Sequence, residues 1–191
     1  LKLGAGKVLV GLLGEGALAV DPLQPELMLR KPDALVADAA MNVIAIGPGL
    51  GTDPAAQRLL SQTLRSDAVC VLDADALNLI AQYAVLQSGL QSRKAASILT
   101  PHPAEAARLL GVKTAEVQAD RVGAALKLAS RYRAVAVLKG AGSVTAAPDG
   151  RWWINASGNP GMAGGGMGDT LTGIVAGLAA QLVPPELAAI A

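Results

Sequence analysis

Short apolar runs alternating with helical patterns mark this chain as an α/β domain with a mostly parallel central sheet and helices on both faces. Two further observations agree. The residue types suited to chemistry follow the apolar runs, as they do where ligands bind at the carboxyl ends of parallel strands. The core must also be built from Ala, Leu, Val and Ile: of 191 residues 52% are hydrophobic, yet only 2% are aromatic and none is Phe. Small side chains let helices and strands approach closely, which suits a layered α/β domain better than a β-sandwich built on large aromatics. The length is that of one domain.

The elements follow in order. Residues 1–6 (LKLGAG) read as a helix end and a turn, and residues 8–13 (VLVGLL) as a strand. Val43–Ile46 is a strand ending in the glycine turn 47–51. Asp53 then caps a helix with Pro54 at its first position and Leu59, Leu60 and Leu64 as its apolar stripe. Val69–Leu72 is a strand, followed by an acidic turn, with Asp75 as helix cap, and a helix over 76–82. Residues 97–100 form a strand, and Pro103–Leu110 a helix closed by Gly111. One long helix is expected over 115–131, with Val122, Ala125, Leu126 and Ala129 on one face. Val135–Leu138 is a strand. Residues 143–147 and Trp152–Ile154 form a late hairpin around Pro148-Asp149-Gly150. The last clear helix spans 169–182, with Leu171, Ile174, Val175, Leu178 and Leu182 at helical spacing. Residues 184–191 (PPELAAIA) look like the opening of another helix. Both ends read as cut, so the expectation is a single domain trimmed at each end.

Composition excludes several function classes. Sixteen Lys and Arg against fifteen Asp and Glu leave a net charge of +1, too little to hold nucleic acid or an anionic membrane. One Cys makes neither an internal disulfide nor a Cys-rich zinc site, and one His leaves no His-rich metal cluster. A Ser-His-Asp triad would have to use His102. No apolar run has the length of a membrane span and no signal peptide is recognisable, so a cytoplasmic setting is expected.

The glycines concentrate late: 11 of the 22 lie between Gly140 and Gly177. The densest run, 158–168, leads straight into a well-patterned helix, unlike a linker. Bare backbone at a helix N-terminus lets a phosphate approach the N–H groups, and the helix dipole adds about 0.3–1 kcal/mol. Asp169 would repel that phosphate unless it has a task there, to take a proton from or orient a hydroxyl that attacks phosphorus; the plain alternative is a helix cap, and both can hold at once. Lys139, Gly140, Ala141, Gly142 and Ser143 follow a buried strand without matching the P-loop pattern, and offer charge, open backbone and a hydroxyl. Gly47–Gly51 fails the dinucleotide fingerprint and reads as a pocket wall or a plain turn. Asp73, at a strand tip, and Glu105 can hold magnesium through water, whereas Glu105 also suits a helix dipole. His102 caps its helix or contacts a ligand.

Together these pieces resemble the ribokinase-like superfamily, and within it the ADP/ATP-dependent NAD(P)H-hydrate dehydratases. The match rests on IGPGLGTD at 46–53, LDADALN at 72–78, LTPHPAEAARLLG at 99–111, LKGAGS at 138–143 and NPGMAGGGMGDTLTGIVAGLAAQ at 159–181. At Met167 some members carry Thr. The resemblance implies a ribokinase-like fold and a reaction that phosphorylates the hydroxyl of the hydrated dihydronicotinamide ring and then expels phosphate. It implies ADP or ATP as phosphoryl donor, with Mg2+. It makes Asp169 the base and a substrate contact. Lys139, Gly140, Ala141, Gly142, Ser143 and Gly168 would hold the nucleotide. Gly49 and His102 would line the hydrate site, and the backbone of Gly165, Gly166, Met167 and Gly168 would form an anion hole. It further implies a homotetramer and a fused or separate NAD(P)H-hydrate epimerase. A ribokinase-like kinase of a small alcohol, such as a hydroxymethylpyrimidine or thiazole, is the alternative enzyme, and a nucleotide-binding module without turnover the non-enzymatic one.

Overall fold

The computed structural model describes residues 2–14 and 20–190. The expected helix end at residues 1–6 falls partly on residue 1, outside the described residues, and residues 2–6 run through turns and bends. Strand β1 (Leu9–Gly11) is shorter than expected and pairs in parallel with β2 (Met28–Arg30), an unforeseen strand. Helix α1 (Pro32–Ala37) follows. It was also unforeseen, and it is only six residues long.

The main sheet begins with β3 (Val43–Ile46). Helix α2 (Pro54–Thr63) starts where expected: Asp53 accepts the Ala56 N–H at 2.8 Å and Pro54 has no N–H to satisfy. Then come β4 (Val69–Leu72), α3 (Ala74–Gln82), α4 (Ala84–Gln91), β5 (Ser97–Leu99) and α5 (Pro103–Leu110), the last closed by left-handed Gly111. The long helix expected over 115–131 is two helices, α6 (Thr114–Ala119) and α7 (Arg121–Tyr132). Asp120 separates them at φ −140°, and its carboxylate accepts the Gly123 N–H at 2.8 Å. A continuous apolar stripe cannot reveal such a break, because both helices bury the same face. Strands β6 (Val135–Leu138), β7 (Val144–Ala146) and β8 (Trp152–Ile154) include the expected hairpin. The last helices are α8 (Met167–Ala179) and α9 (Pro185–Ile190). Helix α8 starts two residues before the expected position, because Gly166 at φ +81° turns the chain into it.

The sheet order is β3-β4-β5-β6-β7-β8, parallel through β6 and antiparallel thereafter. Four parallel strands laid down in consecutive order need right-handed crossovers, which put every connecting helix on one face. That face carries the larger core, in which Cys70, Leu72, Leu99, Ala136 and Leu138 of the sheet meet Leu60, Leu77, Ile80, Leu109 and Leu128 of the helices. The opposite face, with Val71, Ile98, Val135 and Val137, is covered by α8 and α9 through Val175 and Ala189. The sheet is thus covered on both faces as the sequence predicts, but unequally. Among the described residues, no helix is long and apolar enough to cross a membrane.

Candidate functional site

The carboxyl ends of β4 and β6 bring a buried acid and a partly exposed lysine together. Asp73, 1% exposed, leaves β4 and caps α3 by accepting the Ala74 N–H at 2.9 Å. The expected cap, Asp75, instead lies in the first turn and accepts the Gly51 N–H at 2.9 Å, tying the β3–α2 turn to α3. The cap shifts to Asp73 because the chain turns into the helix at Ala74, whose φ is +44°. Asp73 also accepts Lys139 Nζ at 2.7 Å and the Thr172 hydroxyl at 2.7 Å. One carboxylate therefore joins three elements, β4, the end of β6 and α8. An ionised group this deep is tolerable only when paired and fully hydrogen-bonded, and Asp73 is both.

Close approach of backbone makes this possible. Gly47, after β3, has φ +138°, and a β-carbon there would lie 1.8 Å from the Asp73 carbonyl oxygen. No side chain fits. The rest of the turn is a plain one, with the Leu50 N–H donating to Gly47 O, and Gly49 stands exposed at φ +65°.

Helix α5 adds a second acid. His102 is its cap: Nδ1 accepts the Ala104 and Glu105 N–H groups at 3.1 and 3.4 Å. Glu105 returns the bond by accepting the His102 N–H at 2.7 Å, a capping box. With Nδ1 accepting, the neutral ring carries its proton on Nε2, which faces Glu105 Oε1 at 3.3 Å. Capping is therefore what the structure shows for this imidazole, while its ring remains partly exposed. Glu105 is buried, 4.0 Å from Lys139 Nζ.

The loop after β6 closes on itself. Ser143 donates its hydroxyl to Gly140 O at 3.1 Å and accepts the Gly140 N–H at 3.3 Å. Gly140 and Gly142 have φ of +146° and +64°, and Ala141 is exposed at the tip. Behind the loop stands Arg121, which the sequence reading missed. Its signal was an Asp-Arg pair with Gly123 three residues after Asp120, a cap inside an apparently continuous helix.

Gly165, Gly166, Met167, Gly168 and Asp169 form the approach to α8 and its first turn. Asp169 is exposed and does not cap the helix; Gly166 holds the cap position. Among the described residues, the N–H groups of Gly165, Gly166, Gly168 and Asp169 donate to no protein acceptor, the normal state of a helix start, whereas the Met167 N–H, expected in the same anion hole, reaches Gly164 O at 3.5 Å. A β-carbon at Gly168 would lie 3.3 Å from Lys139 Nζ and 3.9 Å from Asp73 Oδ2. The structure thus brings Asp73, Glu105, His102, Lys139 and Gly168 into one cluster.

Asp73 and Glu105 offer hard carboxylate oxygens of the kind Mg2+ prefers. Yet Lys139 stands between them, and each of the four oxygens already faces a donor. As placed, the pair leaves no oxygen free to ligate a cation directly. No group of three or more His, Cys, Asp or Glu side chains gathers as a metal cage among the described residues.

The sequence model of the NAD(P)H-hydrate dehydratase family matches residues 1–191. A bifunctional NAD(P)H-hydrate repair enzyme of Moorella thermoacetica is 47% identical over 175 residues, covering 91% of this chain and 31% of the relative. The ADP-dependent (S)-NAD(P)H-hydrate dehydratase of Neisseria meningitidis is 44% identical over 185 residues, covering 95% of this chain and 62% of the relative. The chain thus spans about a third of the bifunctional relatives and under two thirds of the single-function one. Among solved structures, the ADP/ATP-dependent NAD(P)H-hydrate dehydratase of Bacillus subtilis, co-crystallised with ATP/Mg2+, superimposes with a TM-score of 0.75 at 36% identity. That match covers 88% of this chain and 60% of the other. A ribokinase-like superfamily protein of Enterococcus faecalis gives a TM-score of 0.78 at 29% identity, covering 98% of this chain and 66% of the other. The fold is ribokinase-like.

Proposed function

The chain belongs to the NAD(P)H-hydrate dehydratase family, and from that premise we propose that it restores NADH or NADPH from the (6S) hydrate, using ADP or ATP as phosphoryl donor. The observation that carries the reading is the meeting of Lys139, Gly168 and the undonated N–H groups of α8, one residue from the exposed carboxylate of Asp169.

Hydroxide is a poor leaving group and phosphate a good one. In this reading Asp169 takes the proton of the ring hydroxyl as its oxygen attacks the terminal phosphorus. The phosphoanhydride bond breaks, AMP leaves from ADP or ADP from ATP, and a phosphate ester forms on the ring oxygen. Phosphate then departs with the ring C–O bond, and loss of a proton from the neighbouring carbon regenerates the dihydronicotinamide. The N–H groups of Gly165, Gly166, Met167 and Gly168 are the anion hole for the transferring phosphoryl group. Lys139 with Gly140, Ala141, Gly142 and Ser143 holds the nucleotide. Gly49 and His102 line the hydrate site. Asp73 and Glu105 would hold the water shell of Mg2+, which supplies charge neutralisation at the phosphates.

The whole 191 residues are read as one dehydratase domain, a reading supported by the family match along its length. The bifunctional relatives support an epimerase, fused or separate, as partner. The reading also takes the protein as a lyase, a homotetramer and cytoplasmic, as the family resemblance implies.

The test is incubation with hydrated NADH plus ADP or ATP, following dihydronicotinamide absorbance and free phosphate together. Both should rise in step. No recovery with either nucleotide rejects the reading. A stable phosphorylated alcohol in place of free phosphate would make the protein a small-alcohol kinase.

A further inference from the structure

Arg121 touches the loop after β6 from its back. As the first residue of α7, it sends Nη2 to the carbonyl oxygens of Leu138, Lys139 and Gly142 at 3.1, 3.4 and 3.3 Å. Its Nη1 is steadied by Gln118 at 2.9 Å. Three carbonyls of one six-residue loop converge on one guanidinium.

Two features fit this contact. A β-carbon at Gly140, whose φ is +146°, would lie 2.9 Å from Nη2 and 3.0 Å from Nη1, so a side chain there would push the guanidinium from its place under the loop. The break at Asp120 makes Arg121 a first-turn residue of α7, aimed at the loop. The cap that makes the break is close-fitting: a β-carbon at Gly123 would lie 2.0 Å from Asp120 Oδ2.

The contact has a geometric and an electrostatic consequence. In a trans peptide the C=O and N–H point in opposite directions. Holding the Lys139 and Gly142 oxygens behind the loop therefore turns the Gly140 and Ser143 N–H groups to its other side. The Gly140 N–H meets Ser143 Oγ there, while the Ser143 N–H donates to no protein acceptor among the described residues. Arg121 takes part in no ion pair among the described residues, so its positive charge is offset only by carbonyl dipoles. A partly buried cation under an anion-binding loop raises the potential on the loop's outer side without touching the ligand.

We propose that Arg121 is a positioning residue for the nucleotide: gathering three carbonyls behind loop 138–143, it aims the loop's amides outward and lends its charge to the bound di- or triphosphate. The inference rests on the reading of that loop as the nucleotide holder.

Three variants of the full chain separate the two contributions. Arg121→Ala removes both, Arg121→Lys keeps the charge without the planar fork, and Arg121→Gln keeps an N–H donor without the charge. ADP and ATP dissociation constants are measured by calorimetry, with KM for nucleotide and for hydrate and thermal melts alongside. Arg121→Ala is expected to weaken nucleotide binding by about ten-fold or more, the scale of a lost charge-assisted contact. KM for the hydrate should stay within about two-fold, and Arg121→Lys and Arg121→Gln should each recover part of the loss. Native-like nucleotide binding in Arg121→Ala overturns the inference. So does an equal rise in both KM values with a collapsed melt in all three variants, which would make Arg121 merely structural. Failure of the unmodified protein to bind either nucleotide would instead sink the reading on which the inference rests.

Discussion

Two glycine-bearing segments meet at the carboxyl end of the sheet, and they are built in opposite ways. Loop 138–143 is closed by Ser143 on its own backbone and braced from behind by Arg121. Segment 158–168 is exposed along nearly all its length and holds a 3-10 turn at Pro160–Ala163; Asn159 accepts from Gly161 at 2.9 Å, the Met162 N–H reaches Asn159 O at 3.0 Å and the Met167 N–H reaches Gly164 O at 3.5 Å. The first holds its donors by bonds made on its back. The second shows no such brace: the start of α8 leaves the Gly168 and Asp169 N–H groups unpaired among the described residues by geometry alone. Preorganisation can thus come from a contact elsewhere in the fold or from the helix a segment leads into.

The sharpest break of the comparison is at Asp169. Asp169→Asn is expected to lower turnover by about 10²–10⁴-fold while the nucleotide dissociation constant stays within about two-fold, measured by steady-state kinetics and calorimetry. If the loss appeared in nucleotide affinity instead, the second segment would be a binding loop like the first. A smaller effect is expected at Gly166, whose φ is +81° with open space where a β-carbon would stand. Gly166→Ala should cost about 1–2 kcal/mol through backbone strain alone. Gly165→Ala, with equal space and no positive φ, should melt like the parent. Equal melting temperatures for the two variants would show that helix geometry does not set the second segment.

The smallest effect concerns α7, which braces the first loop. Its far end is pinned by Tyr132, whose buried hydroxyl donates to Leu109 O at 3.0 Å. Burial pushes the Tyr132 phenol above its ordinary 10.0, and burial likewise pushes the Cys70 thiol above 9.0 despite the nearby Arg93. Both acids are harder to ionise folded than unfolded. Their contribution is therefore complete below about pH 9 and lost as pH rises through the raised values. Denaturant melts at about pH 8 and about pH 10.5 should show falling stability, and Tyr132→Phe should flatten the fall. An unchanged slope in that variant would remove Tyr132 from the account.

The sequence carried the sheet better than the site. Val69–Leu72 and Val135–Leu138 keep their expected bounds because strands buried on both faces are continuous apolar runs between breakers, and the edge strand Val43–Ile46, with Ala45 exposed, keeps its bounds as an apolar run ending at Gly47. Helix α4 escaped notice because it has only two fully buried positions, Leu86 and Leu90, and follows α3 with Tyr83 as their shared boundary. At the site, Asp73, Glu105, His102 and Lys139 were visible as strand-end and helix-start residues. Their pairing was not: Lys139 and Asp73 are 66 residues apart, and no local pattern encodes that contact. Asp75 looked like the better cap because capping is read from the helix inward, whereas the chain's exit from β4 decides it.

The consecutive strand order has a consequence for the order of assembly. All crossover helices go to one face, so the other waits for α8, which packs on β3 and β4. Thr172 of α8 finds Asp73 across 99 residues of chain. Contacts closing loops that long form late. A growing chain would complete its braced loop first and receive Asp169 last, so pulse-labelled hydrogen exchange should show α7 amides protected before those of α8. The carboxylate that pairs with Lys139 would then gain its Thr172 hydroxyl bond only in the last stage of folding.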